Sequence, residues 1–592
     1  MCGIIGIVGK LHENIVRKIL NSLERLEYRG YDSSGIAVVQ QKTDSCKPII
    51  HRVRSAGKLA NLKSKLCESD ICGSIGIGHT RWATHGKPTD QNAHPMISGN
   101  VALIHNGIIE NYKDLKFSLE ADGYVFDSET DTEVIAHYLS RELSRGVFPH
   151  QAVRNVMQNM DGTYAIAAIF SDLPDTIIAA REKSSLAVGF GENTCVGSDA
   201  GSLSAICDEI VYLENGDSVE IRDGNAIFFD KNFQQVERKK IKIEQTRVAQ
   251  KGNYEHFMLK EIMDQPSAIR NTISHNKIDP SMLENVKRIL ILGCGTSCYA
   301  GMVAKYWFEN FLQIPTDIEI ASEFRYRNPV ILENTLVISI SQSGETIDTL
   351  GAIEYVRNKS NNKTIAIVNV KNSATARASD IVLYTEAGVE MCVASTKAFT
   401  AQLTLLASIA FCKNEFLQQQ LHALPTLCEN VLDLSDKIKS VAEIIYKSHN
   451  AIYLGRGTMY PIALEGSLKL KEISYIHAEG FAAGEMKHGP IALIDDNVPI
   501  IFLCPKNELF EKAASNLQEA MARGKNIIVF TDEEMKDNFS DDIHTILLPS
   551  VKSAIAPILY SIPLQLLAYH TAVLRGTDVD RPRNLAKSVT VE

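Results

Sequence analysis

Residues 288–309 have the sequence RILILGCGTSCYAGMVAKYWFE, and residues 451–472 repeat its pattern as AIYLGRGTMYPIALEGSLKLKE. Each copy begins with an apolar run typical of a buried strand, turns at glycines and continues with helical periodicity. The copies are about 162 residues apart, and self-similarity at a fixed spacing indicates a repeated architecture. The repeat predicts two α/β lobes, each with a doubly wound parallel sheet.

Two further pairs of segments share this spacing. TLVISISQSGET from Thr335 pairs with VPIIFLCPKNEL from Val498, and TIAIVNV from Thr364 pairs with NIIVFTD from Asn526. The copies differ after the first of these strands, because only the first lobe has the hydroxyl-rich loop SQSGET where the second has CPKN. The sequence therefore predicts that the lobes share a fold but that only one carries this loop.

The uncharged segment 553–574 is long enough to span a bilayer, but it contains Pro557, Pro563, Gln565 and His570. It also lies at the repeat distance from the apolar segment AFTAQLTLLASIAFC in the first lobe. As the second copy of a core helix, it is predicted to be buried in the protein rather than to cross a membrane.

Length and charge exclude several classes of protein. A chain of 592 residues exceeds what one hydrophobic core usually organises, so several domains are expected. The net charge of -10 argues against nucleic acid or an anionic membrane as the main partner. Twelve scattered cysteines, without zinc-site spacing, and an N-terminus without a secretory pattern predict a reduced cytoplasmic protein with no metal and no cofactor.

The region before the repeats alternates short strand-like and helical stretches, which predicts an α/β sandwich. The charged stretch QQVERKKIKIEQTRVAQ, residues 234–250, breaks this rhythm and is typical of a linker. The predicted boundaries are 1–240 for the first domain, 241–280 for the linker and a leading helix, 281–435 and 436–582 for the two lobes, and 583–592 for a C-terminal tail.

Cys2 becomes the first residue if the initiator methionine is removed, which a small second side chain favours. Its thiol would then lie beside a free α-amine. The amine titrates at about 7.7 to 8.0 and the thiol at about 8.5, so the amine can accept the thiol proton at neutral pH. Cys2 is therefore predicted to be a nucleophile that carries its own base.

Cys2 begins the stretch CGIIGIVG. Further along the chain are YRGYDSSG from Tyr28, RWATHG from Arg81, HNG from His105 and DSETDTE from Asp127. These motifs resemble the glutaminase domain of the N-terminal-nucleophile amidotransferases, whose fold is αββα. The resemblance implies a nucleophile (Cys2), an oxyanion hole (Asn106 and the N–H of Gly107), glutamine-binding residues (Arg81 for the α-carboxylate, Asp131 for the α-ammonium, and Thr84 and His85 in a closing loop) and a channel gate (Trp82).

Other interpretations exist for two of these positions taken singly. Asn106-Gly107 is a common hairpin turn, and Asp131 lies inside a Thr-x-x-Glu capping box formed by Thr130 and Glu133. Their occurrence with Cys2 at the terminus favours the glutamine site over both.

In the first lobe, the SQSGET loop follows a strand and precedes a helix, so its hydroxyl and N–H groups suit a phosphate monoester at a helix N-terminus. It lacks the Gly-Lys-Ser/Thr of a nucleotide-binding P-loop. In the second lobe, Glu465, Lys469 and Glu472 are spaced to share one helix face. An exposed salt-bridged face is the usual meaning of this spacing, although the surrounding Leu and Ala residues argue against full exposure.

These features, with KHGP from Lys487 and DVDRPRNLAKSVTVE at the C-terminus, resemble the paired sugar-isomerase domains of the glutamine:fructose-6-phosphate amidotransferase family. The resemblance implies conversion of fructose 6-phosphate and glutamine to glucosamine 6-phosphate and glutamate, and a homodimer in which one subunit completes its neighbour's site. The implied roles are proton shuttle (Glu472), assisting proton transfer (Lys469), ring opening (His488, donated to the neighbouring subunit), imine formation with the open-chain ketose (Lys587), phosphate binding (Ser341, Gln342, Ser343 and Thr346) and lining of the sugar (Thr296, Ser297, Val393, Ser395 and Ala586).

Two half-reactions on one chain also predict an internal ammonia channel gated by Trp82, since free ammonia would otherwise be protonated and lost. Three alternatives stay open at this stage. The first is another amidotransferase with the same N-terminal domain, acting on phosphoribosyl diphosphate or aspartate. The second is a sugar-phosphate sensor that binds its ligand without catalysis. The third is a deglycase that runs the reverse reaction.

Overall fold

The computed structural model describes residues 2–10, 13–40, 47–243, 250–540 and 543–590. These residues form two units: one consists of the described residues up to 243 together with 588–590, and the other of 250–587. The second half of the predicted linker, residues 244–249, lies outside the described residues.

The first unit contains two mainly antiparallel sheets, one of eight strands and one of seven. The strands are β1 (Gly3–Val8), β2 (Ser33–Gln40), β3 (Ile49–Ala56), β4 (Ile75–Arg81), β5 (Met96–Ser98), β6 (Val101–Ile109), β7 (Gly162–Phe170), β8 (Leu173–Glu182), β9 (Ala187–Gly191), β10 (Thr194–Gly197), β11 (Cys207–Tyr212), β12 (Ser218–Arg222), β13 (Asn225–Phe229), β14 (Gln235–Val236) and β15 (Ile241–Lys242). The larger sheet has the order β15-β11-β9-β10-β1-β4-β2-β3, and the smaller has the order β14-β13-β12-β8-β7-β6-β5.

Side-chain alternation along these strands creates four layers. Ile4 of β1 and Ile104 of β6 belong to one core between the two sheets, whereas Ile5 of β1 packs on the other face against helices. The helices are α1 (Val16–Leu26), α2 (Leu59–Cys67), α3 (Tyr112–Ala121), α4 (Thr132–Ser144), α5 (Pro149–Asn159) and α6 (Ala200–Leu203). Helices α1, α2 and α6 cover the larger sheet and α3 to α5 the smaller, which gives the predicted αββα arrangement.

The second unit starts with two helices and the first lobe. Its elements are α7 (Phe257–Met263), α8 (Gln265–His275), β16 (Arg288–Gly293), α9 (Gly295–Trp307), β17 (Thr316–Ile320), α10 (Ala321–Phe324), β18 (Thr335–Ser341), α11 (Ile347–Lys359), β19 (Thr364–Val368), α12 (Ala374–Arg377), β20 (Ile381–Tyr384), α13 (Lys397–Ala410) and α14 (Glu415–Leu432). The strands form a parallel sheet in the order β17-β16-β18-β19-β20.

The second lobe repeats this arrangement. Its elements are α15 (Ser435–Ile445), β21 (Asn450–Gly455), α16 (Met459–Ser474), β22 (His477–Ala482), β23 (Ile500–Leu503), α17 (Phe510–Met521), β24 (Ile527–Asp532), β25 (His544–Leu548) and α18 (Ala556–Leu574). The parallel strand order β22-β21-β23-β24-β25 matches that of the first lobe position by position. The predicted pair of doubly wound lobes is confirmed, and β16 and β21 are the two copies of the strand that starts the repeat.

One core joins the two lobes. Ile289 and Ile291 of β16 face this core, whereas Leu290 and Leu292 face the opposite side of the sheet, as expected for a strand buried on both faces. By length and composition α18 could cross a membrane, but 83% of its apolar window is buried within the protein. It belongs to the common core, which confirms the interpretation drawn from the repeat.

Candidate functional site

The first site surrounds Cys2, which directly precedes β1 in the first unit. The Cys2 thiol donates a hydrogen bond to the Trp82 carbonyl oxygen at 3.5 Å, and the Trp82 N–H lies 3.4 Å from the sulfur. Burial raises the pKa of this thiol above its ordinary value, while the Trp82 N–H acts in the opposite direction. A half-buried thiol with a raised pKa needs an adjacent base to become a nucleophile.

Asn106 is held beside Cys2 in the interior of β6. Its side-chain Nδ2 donates to the Cys2 carbonyl oxygen at 3.0 Å and to Ser198 Oγ at 3.1 Å. Its Oδ1 lies 3.1 Å from His79 Nε2. The amide is therefore fixed on both sides, with its donor directed towards the residue that carries the thiol.

Gly107 also lies within β6, so the Asn106-Gly107 pair is not a hairpin turn. Gly107 has φ of +135°, and a Cβ added there would lie 1.9 Å from the Thr163 carbonyl oxygen of β7. Both observations restrict this position to glycine. The backbone beside Asn106 consequently adopts a conformation that another residue could not adopt without displacing β7.

Arg81, at the end of β4, is buried and its guanidinium donates to three backbone carbonyls of the following loop. These belong to His85, Gly86 and Lys87, the last two at 3.2 and 3.4 Å. The predicted closing loop is thus held by the residue predicted to bind glutamine. Thr84 is exposed, and the half-buried His85 ring packs edge-on against Tyr112 with centroids 5.2 Å apart.

Asp131 immediately precedes α4, but its side chain makes no helix-capping hydrogen bond. Asp131 Oδ2 instead accepts the Ile109 N–H at 2.9 Å, which places this carboxylate at the end of β6. The capping-box interpretation is wrong because Glu133 accepts from the N–H groups of Asp127 and Ser128, not from the N-cap residue. Asp131 is buried close to the strand that carries Asn106.

Sequence reasoning missed three residues of this site. Ser198 Oγ accepts the Ile4 N–H at 2.8 Å as well as the Asn106 amide, and Asp32 Oδ2 accepts the Ala83 N–H at 2.8 Å. His79 contacts Asn106 from the side opposite Cys2. None belongs to a motif with chemistry of its own, and only the fold brings these residues to the thiol.

The residues predicted for the second site belong to the second unit, and the SQSGET loop joins β18 to α11 of its first lobe. Ser341 Oγ is 2.9 Å from Thr346 Oγ1 and accepts the Gly344 N–H at 3.0 Å. Ser343 Oγ accepts the Glu345 N–H at 3.1 Å, and Thr346 is the N-cap of α11. The loop is a tight turn of hydroxyl and N–H groups at a helix N-terminus, as predicted. Gln342 is half-buried, and its carbonyl accepts the Asn369 N–H at 3.0 Å.

A buried ionic cluster on α16 faces the first lobe. Lys469 Nζ lies 3.4 Å from Glu465 Oε1 and 2.7 Å from Glu472 Oε2, and it donates to Thr296 Oγ1 of α9 at 3.1 Å. Thr296 Oγ1 in turn donates to Glu465 at 3.2 Å. The Lys469 side chain is 1% exposed, so the solvated-face interpretation is wrong. The structure joins Lys469 and Glu472, which were predicted to share one helix face, to Thr296 of the first lobe.

The pKa values of Glu465 and Lys469 are shifted by burial and by the charges within the cluster. Burial raises the pKa of Glu465 to about 7, with the Glu472 charge adding to the rise and Lys469 opposing it. Burial opposes the charged form of Lys469, but the two carboxylates outweigh it and hold the lysine pKa above its ordinary value. The cluster thus combines a lysine held in its charged form with a carboxyl group whose pKa is raised towards neutrality, which suits proton transfer.

Lys587 belongs to the second unit and is not part of a solvated tail. Its side chain is 4% exposed, and its Nζ pairs with Glu390, a fully buried carboxylate. Glu390 also accepts from the N–H groups of Thr396 and Ala398 and from Ser395 Oγ. Ser395, predicted to line the sugar, and Lys587, predicted to form the imine, therefore bind the same carboxylate oxygen.

A second buried carboxylate, Glu261 of α7, lies near this pair. Glu261 accepts from the N–H groups of Met391 and Cys392, and burial together with the Glu390 charge raises its pKa to about 8. The coulombic effect of Lys587 helps to hold the pKa of Glu390 at about 2 despite its burial. Neither carboxylate belongs to a sequence motif, so sequence reasoning missed both.

The remaining residues predicted for the second site make no hydrogen bond to the Lys469 cluster or to the Lys587–Glu390 pair among the described residues. Val393 is buried and donates its N–H to the Asp580 carbonyl oxygen, and Ala586 is half-buried. Ser297 hydrogen-bonds Gln402, whose Nε2 lies 3.1 Å from Ser297 Oγ. His488 is exposed at the end of a 3-10 helix, Ala483–His488, and within the described residues it has no hydrogen-bond or ion-pair partner. The structure does not bring His488 to Lys469 or Lys587 of the same chain.

An αββα unit with a half-buried cysteine at the start of its first strand, followed by paired α/β lobes, defines a glutamine amidotransferase joined to sugar-isomerase domains. Sequence profiles agree, since the glutamine amidotransferase domain matches residues 79–205 and the SIS domain matches residues 282–411 and 444–575. The chain belongs to the glutamine–fructose-6-phosphate aminotransferase (isomerizing) family.

Full-length relatives establish this membership. Proteins named glutamine–fructose-6-phosphate aminotransferase (isomerizing) from Brucella suis and Zymomonas mobilis are 46% and 48% identical over 616 aligned residues, covering all of this chain and all of each relative. The solved C-terminal domain of the Francisella tularensis glucosamine-fructose-6-phosphate aminotransferase is 45% identical, with a TM-score of 0.54 over 56% of this chain and all of that domain.

Proposed function

We propose that the chain transfers the amide nitrogen of glutamine to fructose 6-phosphate and isomerises the product to glucosamine 6-phosphate, releasing glutamate. The observation that carries the proposal is the full-length similarity to relatives of that name, because it extends over both units and both sites. The contacts in each site support the individual steps.

In the first unit, removal of Met1 would free the Cys2 α-amine to take the thiol proton. The thiolate attacks the glutamine carboxamide carbon, and negative charge develops on its oxygen. Asn106 Nδ2 and the Gly107 N–H stabilise this oxyanion. The amine returns the proton to the leaving ammonia, and water then hydrolyses the thioester to glutamate.

Charged groups near Cys2 suit the amino-acid end of glutamine. Arg81 offers a planar fork for the α-carboxylate, and Asp131 offers a carboxylate for the α-ammonium. Arg81 also donates hydrogen bonds to the carbonyls of residues 85–87. Binding of the α-carboxylate to Arg81 would therefore change the hydrogen bonds that hold the closing loop. This provides a physical link between substrate binding and the loop that contains Thr84 and His85.

In the second unit, Ser341, Gln342, Ser343 and Thr346 hold the phosphate at the start of α11. Lys587 condenses with the C2 ketone to form an imine with loss of water, and ammonia then displaces the lysine. Glu472 removes a proton from C1 and returns it to C2, with Lys469 assisting. Thr296, Ser297, Val393, Ser395 and Ala586 line the sugar.

We further propose that ammonia passes between the reactions through an internal channel gated by Trp82. The protein acts in the cytoplasm as a homodimer in which His488 opens the sugar ring in the neighbouring subunit. The exposure of His488 and its lack of a partner among the described residues support this role. We also propose five segments: the glutaminase domain at 1–240, a linker and leading helix at 241–280, the two lobes at 281–435 and 436–582, and the C-terminal tail at 583–592.

One assay tests the function. Purified protein is incubated with fructose 6-phosphate and either glutamine or ammonium, and glucosamine 6-phosphate and glutamate are quantified. Cys2→Ala should abolish glucosamine 6-phosphate formation from glutamine but not from ammonium, whereas Lys587→Ala should abolish glucosamine 6-phosphate formation from either nitrogen source while glutamate release from glutamine persists. Sugar-phosphate binding without turnover would instead indicate a sensor, and ammonia release from glucosamine 6-phosphate without synthesis would indicate a deglycase.

A further inference from the structure

His79 is an interior residue of β4 that touches the glutaminase site without touching the thiol. Its side chain is fully buried, and its Nε2 lies 3.0 Å from the His105 carbonyl oxygen and 3.1 Å from Asn106 Oδ1. The His94 ring stacks on the imidazole with centroids 4.2 Å apart. His79 thus packs behind Asn106, on the side away from Cys2.

The backbone fixes which nitrogen of His79 carries the proton. A carbonyl oxygen can only accept, so the contact with His105 requires a hydrogen on Nε2. The Asn106 atom that faces this N–H must then be the amide oxygen, because the amide nitrogen carries only donor hydrogens. The orientation of the Asn106 amide therefore follows from hydrogen-bond chemistry.

The protonation state of His79 does not vary under ordinary conditions. Burial lowers the pKa of His79 to about 3, and the positive charge of Arg81 acts in the same direction. His94, stacked against it, is also buried with its pKa lowered. Within the described residues His79 Nδ1 has no hydrogen-bond partner, which fits a neutral ring protonated on Nε2.

We propose that His79 is a positioning residue of the glutaminase reaction, which locks the Asn106 amide with its N–H₂ directed at the developing oxyanion. This rests on the proposed function of Cys2 and Asn106. A rotated amide would present Oδ1 to the oxyanion and to the Cys2 carbonyl oxygen, and would repel both. The N–H of His79 removes this freedom before glutamine binds, so the hole is preorganised.

Two substitutions of equal polarity separate positioning from packing. In His79→Gln the side-chain amide nitrogen can occupy the place of Nε2, whereas in His79→Asn it reaches only the place of Nδ1. We expect His79→Asn to lower kcat for glutamine hydrolysis by roughly 10- to 100-fold with little change in KM, below the roughly 100- to 1000-fold cost of losing an oxyanion donor. His79→Gln should recover most of the rate.

A double-mutant cycle with Asn106→Ala provides the decisive comparison. If His79 acts through Asn106, adding His79→Asn to Asn106→Ala should lower kcat by less than about twofold. An undiminished loss in that background, equal rates for the Gln and Asn variants, or a loss expressed in KM alone would overturn the proposal. Ammonium-dependent synthesis should be unchanged, but because it reports only on the second unit, hydrogen exchange in β4 and β6 serves as the folding control for the first. A wild-type protein that does not hydrolyse glutamine would refute the proposed function itself, before any variant is compared.

Discussion

The buried cluster on α16 gives the sharpest test of the structure, through Lys469→Met. Methionine preserves most of the side-chain volume but removes the cation that pairs with both Glu465 and Glu472. Glu465 is 2% exposed, so its charge would remain in the interior without compensation. Breaking a buried pair from one side costs about 3 to 5 kcal/mol.

The loss must depend on pH in a defined direction. In the wild type the pKa of Glu465 is raised to about 7, above its ordinary value, so the folded state binds this proton more tightly than the unfolded state. The stability that this protonation contributes is therefore lost as the pH rises from the ordinary pKa of a glutamate to about 7. Because Lys469 opposes the rise, its removal raises the Glu465 pKa further and extends the loss to higher pH. The deficit of Lys469→Met should be larger at pH 8.0 than at pH 5.5.

Scanning calorimetry of the full chain at both pH values measures this deficit, with hydrogen exchange in α16 identifying the transition that unfolds the second unit. A unit of about 340 residues unfolds with an entropy of roughly 0.7 kcal/mol/K, so the expected fall in Tm at pH 8.0 is about 4 to 7 °C. Lys471→Met, on the exposed face of the same helix, is the matched control and should shift Tm by less than about 1 °C.

Adding Glu465→Gln to Lys469→Met should restore much of the stability and flatten its pH dependence, because the uncompensated charge is gone. A Lys469→Met deficit that is the same at pH 5.5 and 8.0, or that equals the effect of Lys471→Met, would show that the cluster is not electrostatically coupled as the structure implies.

Three further predictions concern the reactions. Gly107→Ala should lower glutamate release from glutamine at least about 100-fold, since a Cβ would meet the Thr163 carbonyl at 1.9 Å, while ammonium-dependent synthesis persists. Trp82→Ala should leave glutamine hydrolysis intact but uncouple it from sugar product, and equal loss of both activities would argue against gating. Glu390→Gln should reduce borohydride trapping of fructose 6-phosphate on Lys587, measured by peptide mass, without affecting glutamine hydrolysis; undiminished trapping would exclude a role for this ion pair.

The repeat predicted the second unit well because it is a local pattern. A strand, a glycine turn and a helix recur at a fixed spacing, and two such copies can bury their apolar faces only as similar lobes. The same reasoning predicted that segment 553–574 is a buried core helix rather than a membrane span, and it forms α18 in the core. The SQSGET loop was also predictable, since a hydroxyl-rich turn before a helix is a local feature.

The partners of the functional groups could not be predicted in this way. His79 of the larger sheet reaches Asn106 of the smaller sheet, and Glu390 reaches Lys587 across 197 positions of sequence. His79 lies in a segment with the pattern of an ordinary strand, and Glu390 lies in one with the pattern of an ordinary connection. The capping-box error has the same cause, because Glu133 could bind the start of its own helix or the preceding residues, and only the path of the chain decides between them.

The buried charges of the second unit support a catalytic role independently of any similarity. Burying carboxylates and lysines is expensive, and apolar residues of similar volume are often as stable or more so in such places. The described core nevertheless contains two such clusters, one around Lys469 and one joining Glu261, Glu390 and Lys587, with carboxyl pKa values spread from about 2 to about 8. Stability alone does not explain this arrangement. Groups that must exchange protons with a sugar at neutral pH need such a spread, and each cluster contains one lysine predicted to act on the same ketose.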